Sequence, residues 1–506
     1  MKRKILIFIL SIISILLAVP AVNIINAPSR DAINLKEKSF LYNMDFVSRW
    51  TAALLYPLGI STDPNQVIIG KNDWLYLGDL YEKTLSDDRR PASASDIEIG
   101  KQIGAATEAW NAYLVGKGVK VFQIMIGPNK GSIYPENMPS WAKPALSNPT
   151  DALLAETGEG HYIDLRPPLL AAKKVYREAL YYKTDTHWND LGASVAFRAF
   201  AKKVGEAAPE LKWPSEKVYE LTRVTPRIGG DLANFLRLTA SLSDDQPMIN
   251  ASSLPVKTTQ TDFVTKQVLF QGGNPVTGAP GSPLLVTSVG ALNDKKVLWL
   301  RDSFGTSLSP LMAATFKEVL QLHWGHAIKP GGSFAQLVDE WKPDYVFVTV
   351  VERAARSSGF AAYPPPGVVP KGRDFKAVRT ATPVGLNHLV QGPSENEYQI
   401  KGNDAFVDFV LSSTVTQSDA QYLNIDLTCS DNTSSVPLQL FWLEDGQPYY
   451  DEEHSARFSL RTGEYLIDLR TIPKWNSVSA IKRLRVDIDA VNACTHFQLN
   501  NPSLGQ

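Results

Sequence analysis

Short apolar runs rich in β-branched residues alternate with amphipathic helical stretches over residues 67–353. This alternation is typical of an α/β domain built around a mostly parallel sheet. The predicted strands cover residues 67–69, 74–77, 119–126, 296–300 and 345–351. The predicted helices cover residues 95–117, with Ser95 as the N-cap, and residues 168–180, 191–206 and 333–341.

The length of 506 residues favours more than one domain. Residues 40–365 are predicted to form the first, which ends where three consecutive prolines prevent a helix from continuing. Within it, residues 241–294 are rich in Ser, Thr, Pro and Gly, which indicates a long insertion or surface excursion. Residues 395–506 alternate short strands with turns, a pattern typical of a β-sandwich or jelly roll.

The N-terminal region directs the chain to a membrane. Lys2, Arg3 and Lys4 precede an apolar run that extends to Val22, between the length of a signal-peptide core and the ~20 residues that span hydrocarbon. Residues 1–27 are therefore predicted to be an inner-membrane anchor or a cleaved signal peptide, with the remainder exported to the periplasm. With 51 Lys+Arg against 52 Asp+Glu, the chain has no basic field to attract nucleic acid.

Two polar segments carry chemistry. Residues 185–188 read Asp-Thr-His-Trp, and a carboxylate two residues before a histidine can fix the tautomer of the imidazole. Residues 301–305 read Arg-Asp-Ser-Phe-Gly and follow a strand, at the sheet edge where open α/β sheets bind ligands. The alternatives are an ordinary loop hydrogen bond or a metal ligand pair at Asp185 and His187, and a helix N-cap at Asp302 or Ser303.

The order of these segments resembles that of the alginate O-acetyltransferase AlgJ/AlgX family. In that family an Asp-x-His-Trp motif precedes the serine-bearing motif, which reverses the order of other SGNH esterases. Similar family elements lie at residues 70–76, 127–135, 229–232 and 351–353. The resemblance implies an SGNH-hydrolase-like domain in which Ser303 is the nucleophile, His187 the general base and then acid, and Asp185 the group that orients His187.

The resemblance leaves the oxyanion donors and the substrate contacts open. Arg301 stands where the family motif usually has Gly. The backbone N–H of Ser303 is expected to contribute, together with Arg301 or the loop of Asn129 and Lys130. Lys130 is alternatively a solvated loop residue, and Glu352 with Arg353 a structural ion pair. The oxyanion or substrate-binding candidates are Arg301, Asn129, Lys130, Trp188, Tyr182, Glu352 and Arg353.

The implied chemistry is covalent and needs neither metal nor cofactor, because Ser303 itself carries the acetyl group between donor and acceptor. Since acetyl-CoA is cytoplasmic, the resemblance implies a membrane-bound O-acyltransferase partner that passes acetyl outward. The expected function is O-acetylation of an exopolysaccharide in the periplasm. The alternatives are a periplasmic polysaccharide acetylesterase with the same triad, and a non-catalytic glycan-binding scaffold.

Aromatic residues cluster beside an Asp-Gly turn in the C-terminal part, at residues 440–450. Together with the AlgX-type resemblance, this indicates a carbohydrate-binding-like domain with Trp442 as a candidate contact. Because Phe441 and Trp442 point to opposite faces of a strand, at least one of them is expected in the core. Cys429 and Cys494 are predicted to form a disulfide after export, with two buried thiols as the alternative.

Overall fold

The computed structural model describes residues 2–27, 29–30, 33–158, 160–250, 254–329, 332–369, 375–430, 436–488 and 494–506. The chain divides into two compact units. The first comprises Met1–Ala327 and Val338–Ala361, and the second comprises Ile328–Leu337 and Ala362–Gln506.

Helices occupy the N-terminal region and alternate with strands in the first unit. They are α1 (Lys2–Ile25), α2 (Lys38–Leu41), α3 (Asp45–Leu55), α4 (Thr84–Arg89), α5 (Ala94–Gly116), α6 (Lys130–Ile133), α7 (Pro149–Thr157), α8 (Arg166–Lys173), α9 (Asp190–Ala207), α10 (Asp231–Phe235), α11 (Ser309–Thr315), α12 (Trp324–Ala327) and α13 (Phe334–Trp341). Within α1, Ile5–Ile25 is long and apolar enough to cross a bilayer and is not buried in the protein. This fits an anchor or a signal peptide.

The N-cap of α5 is Ser93, so the prediction of Ser95 is wrong. The Ser93 hydroxyl accepts from the backbone N–H of Asp96, and the Asp96 carboxylate accepts from the backbone N–H of Ser93. This capping box needs an acidic residue three positions after the cap. Asp96 meets that requirement for Ser93.

The strands of the first unit are β1 (Val67–Ile69), β2 (Leu75–Leu77), β3 (Val121–Gly127), β4 (Tyr162–Asp164), β5 (Leu221–Ile228), β6 (Ser243–Ile249), β7 (Lys257–Asp262), β8 (Val268–Gly272), β9 (Leu284–Val289), β10 (Asn293–Arg301), β11 (Phe316–Leu322) and β12 (Tyr345–Val351). Eight of them form one sheet in the order β4-β3-β12-β10-β11-β9-β7-β8. The first five in this order are parallel, whereas β9, β7 and β8 pair antiparallel, so the sheet is mixed.

Strand β10 lies in the parallel part of the sheet, between β12 and β11. Strands β3 and β12 are buried along their whole length, which explains their continuous apolar sequences. The indole N–H of Trp299 on β10 donates to the Thr349 hydroxyl on β12 at 2.8 Å, next to the carboxyl ends of both strands. The residues that follow β10 therefore emerge at the middle of a rigid sheet edge.

Residues 241–294, expected to be a long insertion or surface excursion, contain the four strands β6 to β9, and their status as an insertion stays a prediction. Strands β7, β8 and β9 extend the main sheet, and β6 pairs with β5 in a separate hairpin. The burial of Leu284–Val289 alternates between buried and half-exposed positions, as a strand with one covered face requires. Ser, Thr and Gly in these strands conceal that alternation in the sequence.

The second unit consists mainly of antiparallel strands. They are β13 (Gly367–Val369), β14 (Ala377–Asn387), β15 (Leu389–Gln391), β16 (Glu397–Ile400), β17 (Phe406–Val415), β18 (Tyr422–Cys429), β19 (Val436–Glu444), β20 (Ser455–Leu460), β21 (Gly463–Asp468), β22 (Ile481–Ile488), β23 (His496–Leu499) and β24 (Ser503–Gly505). The structure joins Cys429, the last residue of β18, to Cys494 in a disulfide. The jelly-roll and carbohydrate-binding assignments of this unit stay predictions.

Trp442 lies in the core of the second unit, so its prediction as a glycan contact is wrong. Its side chain is fully buried and packs edge-on against Trp475, with ring centroids 5.2 Å apart. The neighbouring Phe441 is also buried, because Arg485 and Tyr450 cover it on the other face of the strand. Both aromatic side chains therefore serve packing rather than an exposed binding surface.

Candidate active site

The loop that carries Asp185 and His187, called the histidine loop below, connects α8 to α9 and closes on itself like a hairpin. Tyr181 and Trp188 form an antiparallel bridge, and the backbone N–H of Tyr182 donates to the carbonyl of His187 at 3.2 Å. The next residue, Asn189, caps α9 with its side chain. These bonds fix the position of His187 relative to the first turn of α9.

Ser303 begins a short 3₁₀ helix, Ser303–Gly305, directly after β10. Asp302 is the N-cap of that helix, and its Oδ1 accepts from the Phe304 backbone N–H at 2.9 Å. Its Oδ2 accepts from the Val351 backbone N–H at 2.7 Å. Asp302 therefore links the turn Ser303–Gly305, called the serine turn below, to the carboxyl end of β12. Ser303 itself is exposed.

The structure brings Ser303, His187 and Asp185 together in a hydrogen-bonded chain. The Ser303 Oγ lies 2.7 Å from the His187 Nε2, and the His187 Nδ1 lies 2.7 Å from the Asp185 Oδ1. The side chain of His187 is 27% exposed and that of Asp185 only 8%. An exposed hydroxyl, a half-exposed imidazole and a buried carboxylate in this order form the arrangement of a nucleophile, a base and its orienting group.

Trp188 holds the histidine loop against the serine turn. Its indole N–H donates to the Phe304 carbonyl at 3.0 Å, and the two rings meet edge to face with centroids 4.9 Å apart. Gly127 leaves room for this contact, because a Cβ there would come within 2.6 Å of the Phe304 ring. The structure thus buries Trp188, which was a substrate-contact candidate, between two parts of the site.

Asp185 and His187 each favour the charged form of the other. Burial opposes the charge on Asp185, but the hydrogen bond and charge of His187, together with the charge of Arg227, hold its pKa below the ordinary range. Burial also opposes protonation of His187, but Asp185 and the charge of Asp231 outweigh it and raise the pKa of His187 above 6.5. The imidazole is therefore well suited to take a proton from Ser303.

This raised pKa predicts the acid limb of the pH profile. Below the pKa the imidazole is protonated and cannot accept the Ser303 proton, so we expect kcat/KM for an activated acetyl ester to fall about tenfold per pH unit. The half-maximal point should lie above 6.5, the ordinary value for histidine. Spontaneous ester hydrolysis is subtracted with the Ser303→Ala protein. A half-maximal point below that of a free histidine would contradict the prediction.

Lys130 is neither solvated nor directed at a substrate. Its ammonium is buried and donates to the carbonyls of Tyr182, Lys183 and Asp185 at 3.0, 2.8 and 2.7 Å. Burial lowers the pKa of Lys130 to about 8, although nearby carboxylates oppose this change. Lys130 thus stabilises the histidine loop through these three hydrogen bonds.

Arg301 has no access to the site, which corrects its assignment as an oxyanion or substrate residue. Its guanidinium is fully buried, donates to Gln321 and to the carbonyls of Thr277 and Gly278, and lies over the Trp299 ring. Burial lowers the pKa of Arg301 to about 9. Arg301 and Trp299, two residues apart on β10, share a sheet face that supports the strand below Ser303.

Glu352 and Arg353 bond to other residues, so the structure does not support their mutual ion pair. Buried Glu352 accepts from the backbone N–H of Asn129 at 2.8 Å and lies 3.8 Å from Arg166. Arg353 pairs with Glu82 at 3.2 Å. Asn129 and Arg353 line a small pocket beside Thr186 of the histidine loop, which keeps them available as substrate-binding candidates.

Tyr182, Arg227 and Asp231 extend the site on the side of Asp185. The Arg227 guanidinium lies over the Tyr182 ring at 4.1 Å and donates to the Asp185 Oδ2 at 2.9 Å. Sequence analysis missed Arg227 and gave Asp231 no role. Asp185, His187 and Asp231 place ligand atoms within 4.8 Å of one another, a spacing that a metal ion could use. Here those atoms are engaged in hydrogen bonds with each other and with Thr186.

Comparison with known proteins finds a family match within the first unit. Residues 67–277 match the family described as SGNH hydrolase-like domain, acetyltransferase AlgX, a span that contains Asp185 and His187 and ends before Ser303. Two relatives are named "Probable alginate O-acetylase AlgJ". The one from Pseudomonas syringae pv. tomato is 28% identical over 185 residues, 36% of this chain and 44% of the relative. The one from Pseudomonas fluorescens is 29% identical over 191 residues, 37% of this chain and 45% of the relative.

The chain therefore spans less than half the length of these curated relatives. Among solved structures, AlgX of Pseudomonas aeruginosa is 13% identical with a TM-score of 0.41, covering 87% of this chain and 95% of that chain. The family match and the AlgJ relatives confirm the resemblance seen in the sequence. Through residues 67–277, the chain is similar to the SGNH hydrolase-like domain of the AlgJ/AlgX family.

Proposed function

We propose that this protein is an O-acetyltransferase that acetylates hydroxyl groups of an exopolysaccharide through an acetyl-Ser303 intermediate. The observation that carries the proposal is the contact between an exposed serine hydroxyl and a histidine whose second nitrogen is bonded to a buried carboxylate. Names of relatives that contain "alginate O-acetylase" support acetyl transfer as the reaction.

In the first half-reaction the Ser303 oxygen attacks the carbonyl carbon of the acetyl donor. The hydroxyl proton passes to the His187 Nε2, and Asp185 stabilises the imidazolium through the Nδ1–H. The tetrahedral oxyanion then collapses, the donor alcohol or thiol leaves with the proton from His187, and acetyl-Ser303 remains. The Ser303 backbone N–H, at the start of the 3₁₀ helix, is the proposed first oxyanion donor.

In the second half-reaction a sugar hydroxyl gives its proton to the His187 Nε2 and attacks the acetyl-serine carbonyl. The Ser303 oxygen leaves and recovers its proton from His187, which returns the site to its starting state. Water can enter the same step, because Ser303 is exposed. Transfer therefore depends on how well the acceptor glycan occupies the site and displaces water.

The proposal places the reaction in the periplasm, with α1 as an inner-membrane anchor or a signal peptide. The helix has the length and composition for either role. The acetyl group must then cross the membrane, so we propose a membrane-bound O-acyltransferase partner as the donor. The acceptor is an exopolysaccharide of the alginate type, by analogy with the curated relatives.

The test supplies the full chain with an activated acetyl ester and an alginate-type oligosaccharide. Acetylated oligosaccharide, detected by mass spectrometry, is the expected result and supports the transferase. Free acetate as the sole product would replace the transferase with an esterase. A protein that forms no acetyl-Ser303 with donor alone would be left with the role of a glycan-binding scaffold. Ser282→Ala, which changes an exposed serine on a loop, is the matched control.

A further inference from the structure

Three charged residues from one segment, residues 227–244, support the histidine loop. Arg227 lies near the end of β5, Asp231 begins α10, and Asp244 lies on β6. Buried Asp244 accepts the backbone N–H of Lys183 at 2.6 Å and also binds Thr184. The segment from β5 to β6 therefore contacts the histidine loop at several successive residues.

Arg227 engages the oxygen of Asp185 that His187 leaves free. It donates to the Asp185 Oδ2 at 2.9 Å, while the Oδ1 accepts from the His187 Nδ1. Between these partners the carboxylate can neither rotate nor turn outward. The backbone also approaches closely here, since a Cβ at Gly230 would come within 2.4 Å of the Asp185 side chain.

Asp231 approaches the same ring nitrogen of His187 as Asp185 does. Its Oδ1 accepts from the Thr186 backbone N–H at 2.7 Å and its Oδ2 accepts from the Thr186 hydroxyl at 2.5 Å. The Oδ2 lies 3.6 Å from the His187 Nδ1, and the Thr186 oxygen lies 3.1 Å from the same nitrogen. The imidazole thus faces a second carboxylate in addition to Asp185.

We propose that Arg227 and Asp231 are positioning residues that adjust the proton affinity of His187 in opposite directions. Arg227 offsets the negative charge of Asp185, which weakens protonation of the imidazole. Asp231 adds a negative charge beside the Nδ1, which strengthens it. The other titratable or charged groups around His187, Arg227 and Asp231 are Asp185, Arg353, Lys130, Tyr182, Asp190 and Asp244.

The test measures the titration of His187 directly by NMR in the full chain, with carbon-labelled histidine. Of the seven histidine signals, the one that disappears in His187→Gln is assigned to His187. In Asp231→Asn the pH midpoint of His187 should fall by about one pH unit, and in Arg227→Gln it should rise by a similar amount. Arg227→Lys keeps the positive charge and should restore the midpoint toward that of the original protein.

Matched controls lie on the same hairpin. Arg223→Gln on β5 and Asp245→Asn on β6 make the same charge changes at exposed positions and should leave the midpoint unchanged, because solvent and salt screen them. Shifts of the same sign in Asp231→Asn and Arg227→Gln would overturn the proposal, as would an Arg227→Lys midpoint equal to that of Arg227→Gln. A purely structural role would not produce opposite shifts.

The catalytic meaning of these shifts rests on the proposed function. If that function holds, the acid limb of kcat/KM for the acetyl ester moves with the NMR midpoint in each variant. If the NMR midpoints move as expected while no variant transfers acetyl groups, the proposed function fails and the positioning roles stand. Unmoved NMR midpoints in an active enzyme would overturn the positioning roles alone.

Discussion

Ser303→Ala is expected to lower acetyl transfer by roughly 10,000-fold or more, the scale of losing a triad nucleophile. The substitution removes the atom that bonds to the acetyl group and leaves His187 without its proton donor at 2.7 Å. It costs little stability, because Ser303 is exposed and the cap of its helix comes from Asp302. The protein should therefore fold as the original does while producing almost no acetylated glycan.

Two measurements check this expectation. Mass spectrometry of the protein after a brief exposure to acetyl ester should show one added acetyl group on the peptide that contains Ser303, and none in Ser303→Ala. Ser282→Ala is the matched control for the loss of a hydroxyl and should keep both the label and the rate. Transfer at the original rate by Ser303→Ala would exclude Ser303 as the nucleophile and would contradict the proposed mechanism.

Lys130→Met is expected to lower the free energy of unfolding far more than Ser303→Ala does. The methionine fills the space of the lysine stem, but the carbonyls of Tyr182, Lys183 and Asp185 lose their shared donor. The Lys183 carbonyl keeps the backbone N–H of Leu75 at 2.9 Å as a donor, but the carbonyls of Tyr182 and Asp185 lose the ammonium. Buried carbonyls that lose a donor are costly, and we expect a loss of about 3 kcal/mol. Because the loop then shifts relative to Ser303, kcat should also fall, by about 100-fold for a displacement near 1 Å.

Thermal unfolding and ester kinetics test this prediction together. Lys202→Met changes an exposed lysine on α9 and should alter neither the Tm nor kcat by a comparable amount. Lys130→Arg keeps a cation at the site and should retain more stability than Lys130→Met if the donor is what matters. Original stability and activity in Lys130→Met would show that the three carbonyls find other donors.

Much of the central sheet could be predicted because its strands are buried on both faces and so read as unbroken apolar runs. The prediction of residues 345–351 matches β12, and β10 and β3 differ from theirs only at the ends. Strands β7 and β8 could not be predicted in this way, since the residues of β7 are polar and the apolar residues of β8 are exposed. Their positions depend on the pairing of β7 with β9 and of β8 with β7, which local sequence does not encode.

For the candidate site, the sequence identified the groups that touch one another but not those that hold them. Ser303, His187 and Asp185 were recognisable because their two motifs, in this order along the chain, resemble those of the AlgJ/AlgX family. Arg227 contacts Asp185 across 42 positions, and Lys130 reaches the same loop across 52 to 55 positions. Such partners follow only from tertiary packing, and the lone arginine and lysine carry no motif of their own.

The contact between His187 and Ser303 joins residues 116 positions apart. One lies before α9 and the other follows β10, so neither can reach its partner until both elements have docked on the sheet. A newly made chain consequently has no competent nucleophile while it is still unfolded, and the proposed chemistry begins only once the tertiary structure is complete. Recovery of esterase activity after dilution from denaturant would thus report the last stage of folding of this unit.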